Sequence, residues 1–177
     1  AESVASTATS AVANVNDDST VAISGTVTED QVLTATVTDE DGATGTIAYQ
    51  WNRDGAAISG ATSSTYTLTQ SDVGSAMTVT VTFNDDLSTS ETATSAATAV
   101  VANVNDDPTG SVTITGTAQE DEALGIATSL MADEDGLGTF SYQWNRAGTA
   151  ISGATGLIYT LGQSDVGSAM TVTVSYT

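Results

Sequence analysis

"YQWNRDGAAISGATSSTYTLTQSDVGSAMTVTV", Tyr49–Val81, is the stretch whose reading decides the fold. Side chains in a strand alternate faces with period two, so Ile47, Tyr49 and Trp51 share one face of a strand predicted over Thr46–Arg53. Asp54-Gly55 is a strong tight-turn signal and leads into a short segment at Ala56–Ile58. "SSTYTL" at Ser63–Leu68 reads as the next strand. "QSDVG" makes a corner that Asp72 is placed to cap. Beyond it, "SAMTVTVTF" sends Met77, Val79, Val81 and Phe83 inward and Thr78, Thr80 and Thr82 outward.

Working outward, the residues before this stretch give two more strands. One covers about Thr20–Thr28 and ends at the acidic turn Glu29-Asp30. The other, Gln31–Thr38, sets Leu33, Ala35 and Val37 on one face and opens into the loop "DEDGATG". After Asn84-Asp85-Asp86 a last strand runs roughly Thr89–Ala102. Seven short strands, with turns about every 8–12 residues, predict an all-β sandwich of two sheets. No stretch reads as a helix.

The whole pattern then returns. "YQWNR" at Tyr49–Arg53 recurs at Tyr142–Arg146, "ISGAT" at Ile58–Thr62 recurs at Ile151–Thr155, and "QSDVGSAMTVTV" at Gln70–Val81 recurs unchanged at Gln163–Val174, all displaced by 93 positions. Gly25-Thr26 and Gly116-Thr117 are 91 apart, and the two copies of "NVNDD", from Asn14 and from Asn103, are 89 apart. A unit of about 90 residues is a small β-domain rather than a solenoid turn. Aligned on NVNDD, "ESVASTATSAVANVNDD" echoes "ETATSAATAVVANVNDD". Residues 1–16 are therefore expected to be the last strand and linker of a preceding repeat. Residues 17–104 form repeat one, and residues 105–177 form repeat two without its last strand.

Composition narrows the function classes. Val and Thr are abundant and aromatics scarce, which favours strands. Only Arg53 and Arg146 oppose 22 carboxylates, for a net charge of −20, and His, Lys and Cys are absent. Neutralising phosphates takes Lys and Arg, so nucleic acid and anionic membranes are not the expected partners. Cations are, and hard oxygen ligands select calcium over transition metals. Without cysteine there is neither a disulfide nor a thiolate metal site. No apolar run approaches the roughly 18 residues of a membrane span, and no signal peptide opens the chain. General acid–base chemistry usually draws on His, Lys or tuned carboxylates in a pocket; no enzyme is expected.

A strand-C Trp followed by an S-D-x-G corner before an alternating strand resembles the immunoglobulin-like pattern. The wording from Tyr49 to Val81 is similar to the tandem bacterial Ig-like (cadherin-like) repeats of giant RTX-type surface adhesins, and the similarity covers essentially the whole chain. The absence of a cysteine pair sets it apart from antibody domains. The resemblance implies two Ig-like domains in an extended rod, at an extracellular or cell-surface location, serving as spacer repeats of an adhesin.

Antiparallel connectivity divides the loops between two poles. Glu29, Asp30, Asp72 and the exit linker Asn103, Asn105, Asp106 and Asp107 fall at one; Asp39, Glu40, Asp41, Asp85 and Asp86 fall at the other. Stacked end to end, the repeats would bring Glu29, Asp30, Asn105, Asp106 and Asp107 near Asp133, Glu134 and Asp135. Asp17 and Asp18 would stand likewise beside Asp39 and Asp41. Carboxylates about 4 Å apart repel by roughly 1–4 kcal/mol per pair, a repulsion that a Ca2+ with its 6–8 oxygen ligands reverses. The plainer alternative is that these acids only solvate loops. Strands are nearly free of charge while loops and linker are rich in it, which favours the calcium reading.

Two further functions compete. Trp51 and Trp144 could form a carbohydrate-binding platform, although sharing a face with Tyr makes them core residues first. Alternatively, Ala1–Ala13 could pair with an identical subunit or a neighbouring repeat, assembling a filament head to tail by strand complementation.

Overall fold

The computed structural model describes residues 1–177, which separate into two compact units, Ala1–Val104 and Asn105–Thr177. In the first, seven strands follow in order: β1 (Thr20–Ser24), β2 (Val32–Thr38), β3 (Ala48–Arg53), β4 (Ala56–Ala57), β5 (Thr65–Thr67), β6 (Met77–Asn84) and β7 (Ser90–Thr94). β1-β2-β5 make one antiparallel sheet and β4-β3-β6-β7 the other, the strand order of an immunoglobulin-like sandwich. The β3–β6 register places Trp51 opposite Val79 and Tyr49 opposite Val81. Inward residues of both sheets, among them Leu33, Trp51, Leu68, Met77, Val79 and Val81, are fully buried. Trp51 keeps its one polar atom satisfied by donating from Nε1 to the Ser63 carbonyl at 2.9 Å. Neither it nor Trp144 has any exposed surface, so neither can serve as a sugar-stacking platform.

Several elements are shorter than the alternation predicts. β1 stops at Ser24 because Gly25 takes φ +125, where a Cβ would lie 2.5 Å from the Val32 carbonyl. The last strand forms a regular ladder only to Thr94. Beyond it, the Ser95 and Thr98 amides still donate to the Val79 and Met77 carbonyls at 2.9 Å, but side-chain oxygens replace the backbone as acceptors of the β6 amides. The Val79 amide donates to Ser95 Oγ and the Met77 amide to Thr98 Oγ1, both at 3.0 Å. The chain then re-engages at Val100–Ala102. There Val101 exchanges 2.9 Å bonds with Ser75 and Gly74, and Ala102 bonds to Val27 and Glu29. Val101 is buried at the end of the core.

The second unit repeats the plan with β8 (Thr113–Gly116), β9 (Ala123–Ala127), β10 (Ser141–Arg146), β11 (Thr149–Ala150), β12 (Ile158–Thr160) and β13 (Met170–Ser175). Its sheets are β8-β9-β12 and β11-β10-β13. β13 has the sequence of β6 but pairs on one side only, and the burial differs accordingly. Met77, Val79 and Val81 are fully buried, whereas Met170, Val172 and Val174 are half-buried. The fully buried cluster shrinks to Leu124, Trp144 and Leu161.

Residues 1–19 form no strand, contrary to the expectation of an orphan last strand. A strand exists only through its ladder, and the bonds of this segment to the rest of unit one run instead to the side chains of Asp41 and Glu91. Val4 is 99 % and Val12 95 % exposed.

Candidate functional site: acidic loops, linker contacts and arginine corners

Both arginines are used inside the units. At the E–F corner of unit one, the Asp72 carboxylate is fully buried. It accepts from Arg53 Nε at 2.8 Å, the Thr69 amide at 2.9 Å, Thr69 Oγ1 at 2.9 Å and Tyr66 Oη at 3.0 Å. Burial pushes this carboxyl up, but the Thr69 amide and the Arg53 guanidinium, with two hydroxyls, outweigh it and hold it below the usual carboxylate range. Asp165 repeats the arrangement with Arg146 Nε at 2.6 Å, the Gly162 amide at 2.9 Å and Tyr159 Oη at 3.1 Å. The Gly162 amide is the main cause of its lowered pKa. Asp72 is thus a structural anchor. Every acid in the loops and linkers must find amides, hydroxyls or solvent cations instead, because no other basic side chain exists.

In unit one the linker docks on the loop between β2 and β3. The Asp17 amide donates to Asp41 Oδ2 and Asn14 Nδ2 to Asp41 Oδ1, both at 2.9 Å. The Asp41 amide in turn donates to Asp39 Oδ1 at 2.8 Å. Asn16 reaches Glu91 Oε1 on β7 at 2.8 Å. Asp18 is exposed. Asp39 Oδ2 is buried and has no hydrogen-bond partner, as is Asp85 Oδ2 in the loop after β6. Asp86 ties that loop back to the β2–β3 loop by accepting from the Thr44 amide at 3.1 Å and Thr44 Oγ1 at 2.6 Å. Gly42 permits this closeness, since it takes φ +96 and a Cβ there would lie 2.3 Å from Asp86 Oδ2.

Unit two repeats the linker contact. The Asp106 amide donates to Asp135 Oδ2 at 2.8 Å, and the Asp135 amide donates to Asp133 Oδ1 at 2.8 Å. One atom differs. Asp133 Oδ2 accepts a hydrogen bond from Tyr176 Oη, and Phe83, at the matching position of unit one, has no hydroxyl to offer. The bond to Asp133, reinforced by burial and the charges of Asp107 and Asp135, pushes the Tyr176 hydroxyl up to about 12. Asn105 donates to the Asp106 carbonyl at 3.0 Å. Asp107, Glu134 and Asp135 are exposed, and Asp106 and Asp133 are half-buried.

The remaining predicted residues belong to the exit of unit one. Glu29 is buried, and its Oε2 accepts from the Val104 amide at 3.3 Å. With the Gln70 amide turned to face it, Gln70 donates to both carboxylate oxygens at 2.8 and 2.9 Å. Glu29 therefore fastens the start of the linker to the corner. Asp30 is exposed, in a left-handed conformation at φ +62. Sequence reasoning missed Glu91 and Tyr176. Glu91 is one acid in a threonine-rich strand, and Tyr176 stands where the first repeat has Phe, so neither carries a motif of its own.

No protein-family model and no curated protein matches the chain. Among solved structures, the chain is similar to the three N-terminal domains of the bacteriophage RB49 Highly Immunogenic Outer Capsid protein (Hoc), at 20 % identity and a TM-score of 0.36. The match covers 89 % of this chain and 54 % of that one, so the chain spans about half the length of the structure it matches. No helix is long and apolar enough to cross a membrane.

Proposed function

We propose that the chain is a spacer segment of a bacterial cell-surface adhesin, in which Ig-like units hold other parts of the protein apart and calcium stiffens the linkers. The observation that carries this reading is the recurrence of one contact in both units. The second-to-last residue of NVNDD binds, through its amide, the third acid of the DEDG loop that follows, as Asp17 does to Asp41 and Asp106 does to Asp135. A spacer needs its linkers held, and the same contact gathers hard oxygen donors at each entry. The residues present fit a Ca2+ in kind: carboxylates, Asn carbonyls and main-chain oxygens are its ordinary ligands. The buried Asp39 Oδ2 is an acceptor that lacks a donor in a chain without spare cations, and an unmet buried acceptor costs about 1–3 kcal/mol. Asp39, Asp41 and the linker would hold the ion in unit one, and Asp133, Asp135 and Asp106 in unit two. Strand faces of Thr and Ser suit a segment with no target of its own.

Calcium titration of the full chain, read by calorimetry and thermal melting, tests the reading. The expected result is binding with Kd on the order of 0.1–1 mM, the range of extracellular calcium modules, and a melting temperature that rises with calcium. Asp41→Asn with Asp135→Asn should abolish both responses. A melting temperature indifferent to chelator and to millimolar calcium would overturn the metal. Binding that leaves scattering-derived dimensions unchanged would overturn the stiffening.

A further inference from the structure

We propose that the calcium site of unit one extends into the end of its core, with Asp85 beside Asp39 as a ligand, and that this inner position admits an ion because residue 83 is Phe. The inference rests on the calcium reading above and adds to it one ligand and one residue that decides access.

Both aspartates continue the inward rows of the sandwich. Leu33, Ala35 and Val37 pack into the core from β2, and Asp39 is the next residue of that alternation. Met77, Val79, Val81 and Phe83 do the same from β6, and Asp85 is the next residue there. The two strands belong to facing sheets and end at one pole, where Asp86 ties their loops together. Each aspartate is fixed through one oxygen by its own loop. Asp39 Oδ1 accepts from the Asp41 amide at 2.8 Å, and Asp85 Oδ1 from the Leu87 and Thr89 amides at 2.9 and 2.6 Å. The second oxygen of each is left over, since both Oδ2 atoms are buried and have no donor. Asp85 as a whole is only 5 % exposed.

Carboxylate oxygens shut away from water without a donor are costly. The protein has no cation to spare for them, because Arg53 and Arg146 are both bonded to aspartates elsewhere. A Ca2+ takes oxygens of this kind and completes its shell from carbonyls and water. A hollow of about 590 Å³ beside Asp85, lined also by Gly45, Thr46, Phe83, Asn84 and Ser90, gives it a way in.

Residue 83 separates the two units. Tyr176, 93 positions on, donates its hydroxyl to Asp133 Oδ2, the oxygen that corresponds to Asp39 Oδ2. In unit two the protein itself therefore satisfies that oxygen. In unit one the Phe83 ring ends in carbon and leaves the oxygen to a cation.

Thermal melting of the full chain, in chelator and in millimolar calcium, tests the proposal. The transition to read is that of unit one, whose larger buried cluster makes it the later to melt. Asp85→Asn keeps the Oδ1 acceptor and removes the charge, and Phe83→Tyr sets a hydroxyl against Asp39 Oδ2. Both should raise the melting temperature in chelator, where each relieves an unmet acceptor, and both should shrink the gain that calcium brings. Calorimetric titration in an Asp135→Asn background, which silences unit two, should show calcium affinity falling by on the order of tenfold or more with either substitution. If Asp41→Asn removes the calcium response of unit one while either Asp85→Asn or Phe83→Tyr leaves it whole, the inner ligand is wrong and the linker site stands. A melting temperature lowered equally in chelator and in calcium marks a merely structural role and would overturn the proposal too. Wild type indifferent to calcium would overturn it together with the reading it rests on.

Discussion

Asp72 and Asp165 concentrate the strongest polar interactions of the molecule in two side chains. Asp72→Ala leaves Arg53, 32 % exposed, free to turn to water, but it orphans the Thr69 amide and the Tyr66 hydroxyl, so unit one should lose about 1–3 kcal/mol in urea unfolding. The sign of the pH effect follows from the same bonds. Both carboxyls have folded pKa values below the unfolded value of about 3.9. Their contribution is therefore complete above about pH 4 and is lost as pH falls through the folded values. Acid titration of the melting temperature should show a steep fall there, and Asp72→Asn should flatten it for unit one. The corner's S-D-x-G wording made the cap legible, because a buried Asp after a strand end has few other uses. A second residue-scale difference tests the β3–β4 hairpin. Asp54, at φ +46, accepts from the Ala76 amide at 2.9 Å, whereas Ala147 holds φ +44 with no such bond. Ala147→Asp should restore it and stabilise unit two by about 1 kcal/mol, measured by thermal unfolding.

Strands β3 and β6 were legible because alternation over eight residues leaves one choice of inward face. The last strand of unit one was legible only in outline, since past Thr94 the β6 amides are met by side-chain oxygens while only the carbonyls keep backbone donors. Period-two reading counts apolar residues, and Ser95 is a buried serine acting as a backbone surrogate. Ser95→Ala should cost unit one about 1–3 kcal/mol through the orphaned Val79 amide, while Ser90→Ala, exposed at the strand start, should change little. Equilibrium unfolding of both variants checks this. The loops illustrate a different limit. That DEDG and NVNDD belong together followed from their recurrence, but which oxygen meets which amide depends on loop geometry. The contrast between Asp39 and Asp133 depends on one residue, Phe83 or Tyr176, that no pattern singles out.

At the scale of the molecule, two units of the same sequence class differ in how completely they are built. Nine residues make up the buried cluster of unit one and three that of unit two, so unit two should melt first. Calorimetry of the full chain should resolve two transitions, the earlier one lost when Trp144 is replaced and the later one when Trp51 is. The repeat and its all-β character were plain from the offsets of 93, 91 and 89 positions. The half-burial of β13 was legible only from the repeat alignment, which leaves repeat two without its last strand, and not from the strand's own letters, because Met170–Val174 is letter for letter Met77–Val81. Burial there is set by a neighbouring strand, not by the residues themselves.

The arginine corners also decide how the protein meets a digestive enzyme. Trypsin cuts after Lys or Arg, and its two available bonds follow Arg53 and Arg146, each in a strand and clamped to an aspartate. Cleavage must wait for a corner to open, so its rate follows the population of opened molecules. The order in which the two peptide bonds break gives a clock for each unit separately, and a folded chain of this composition would pass through a trypsin-rich environment whole.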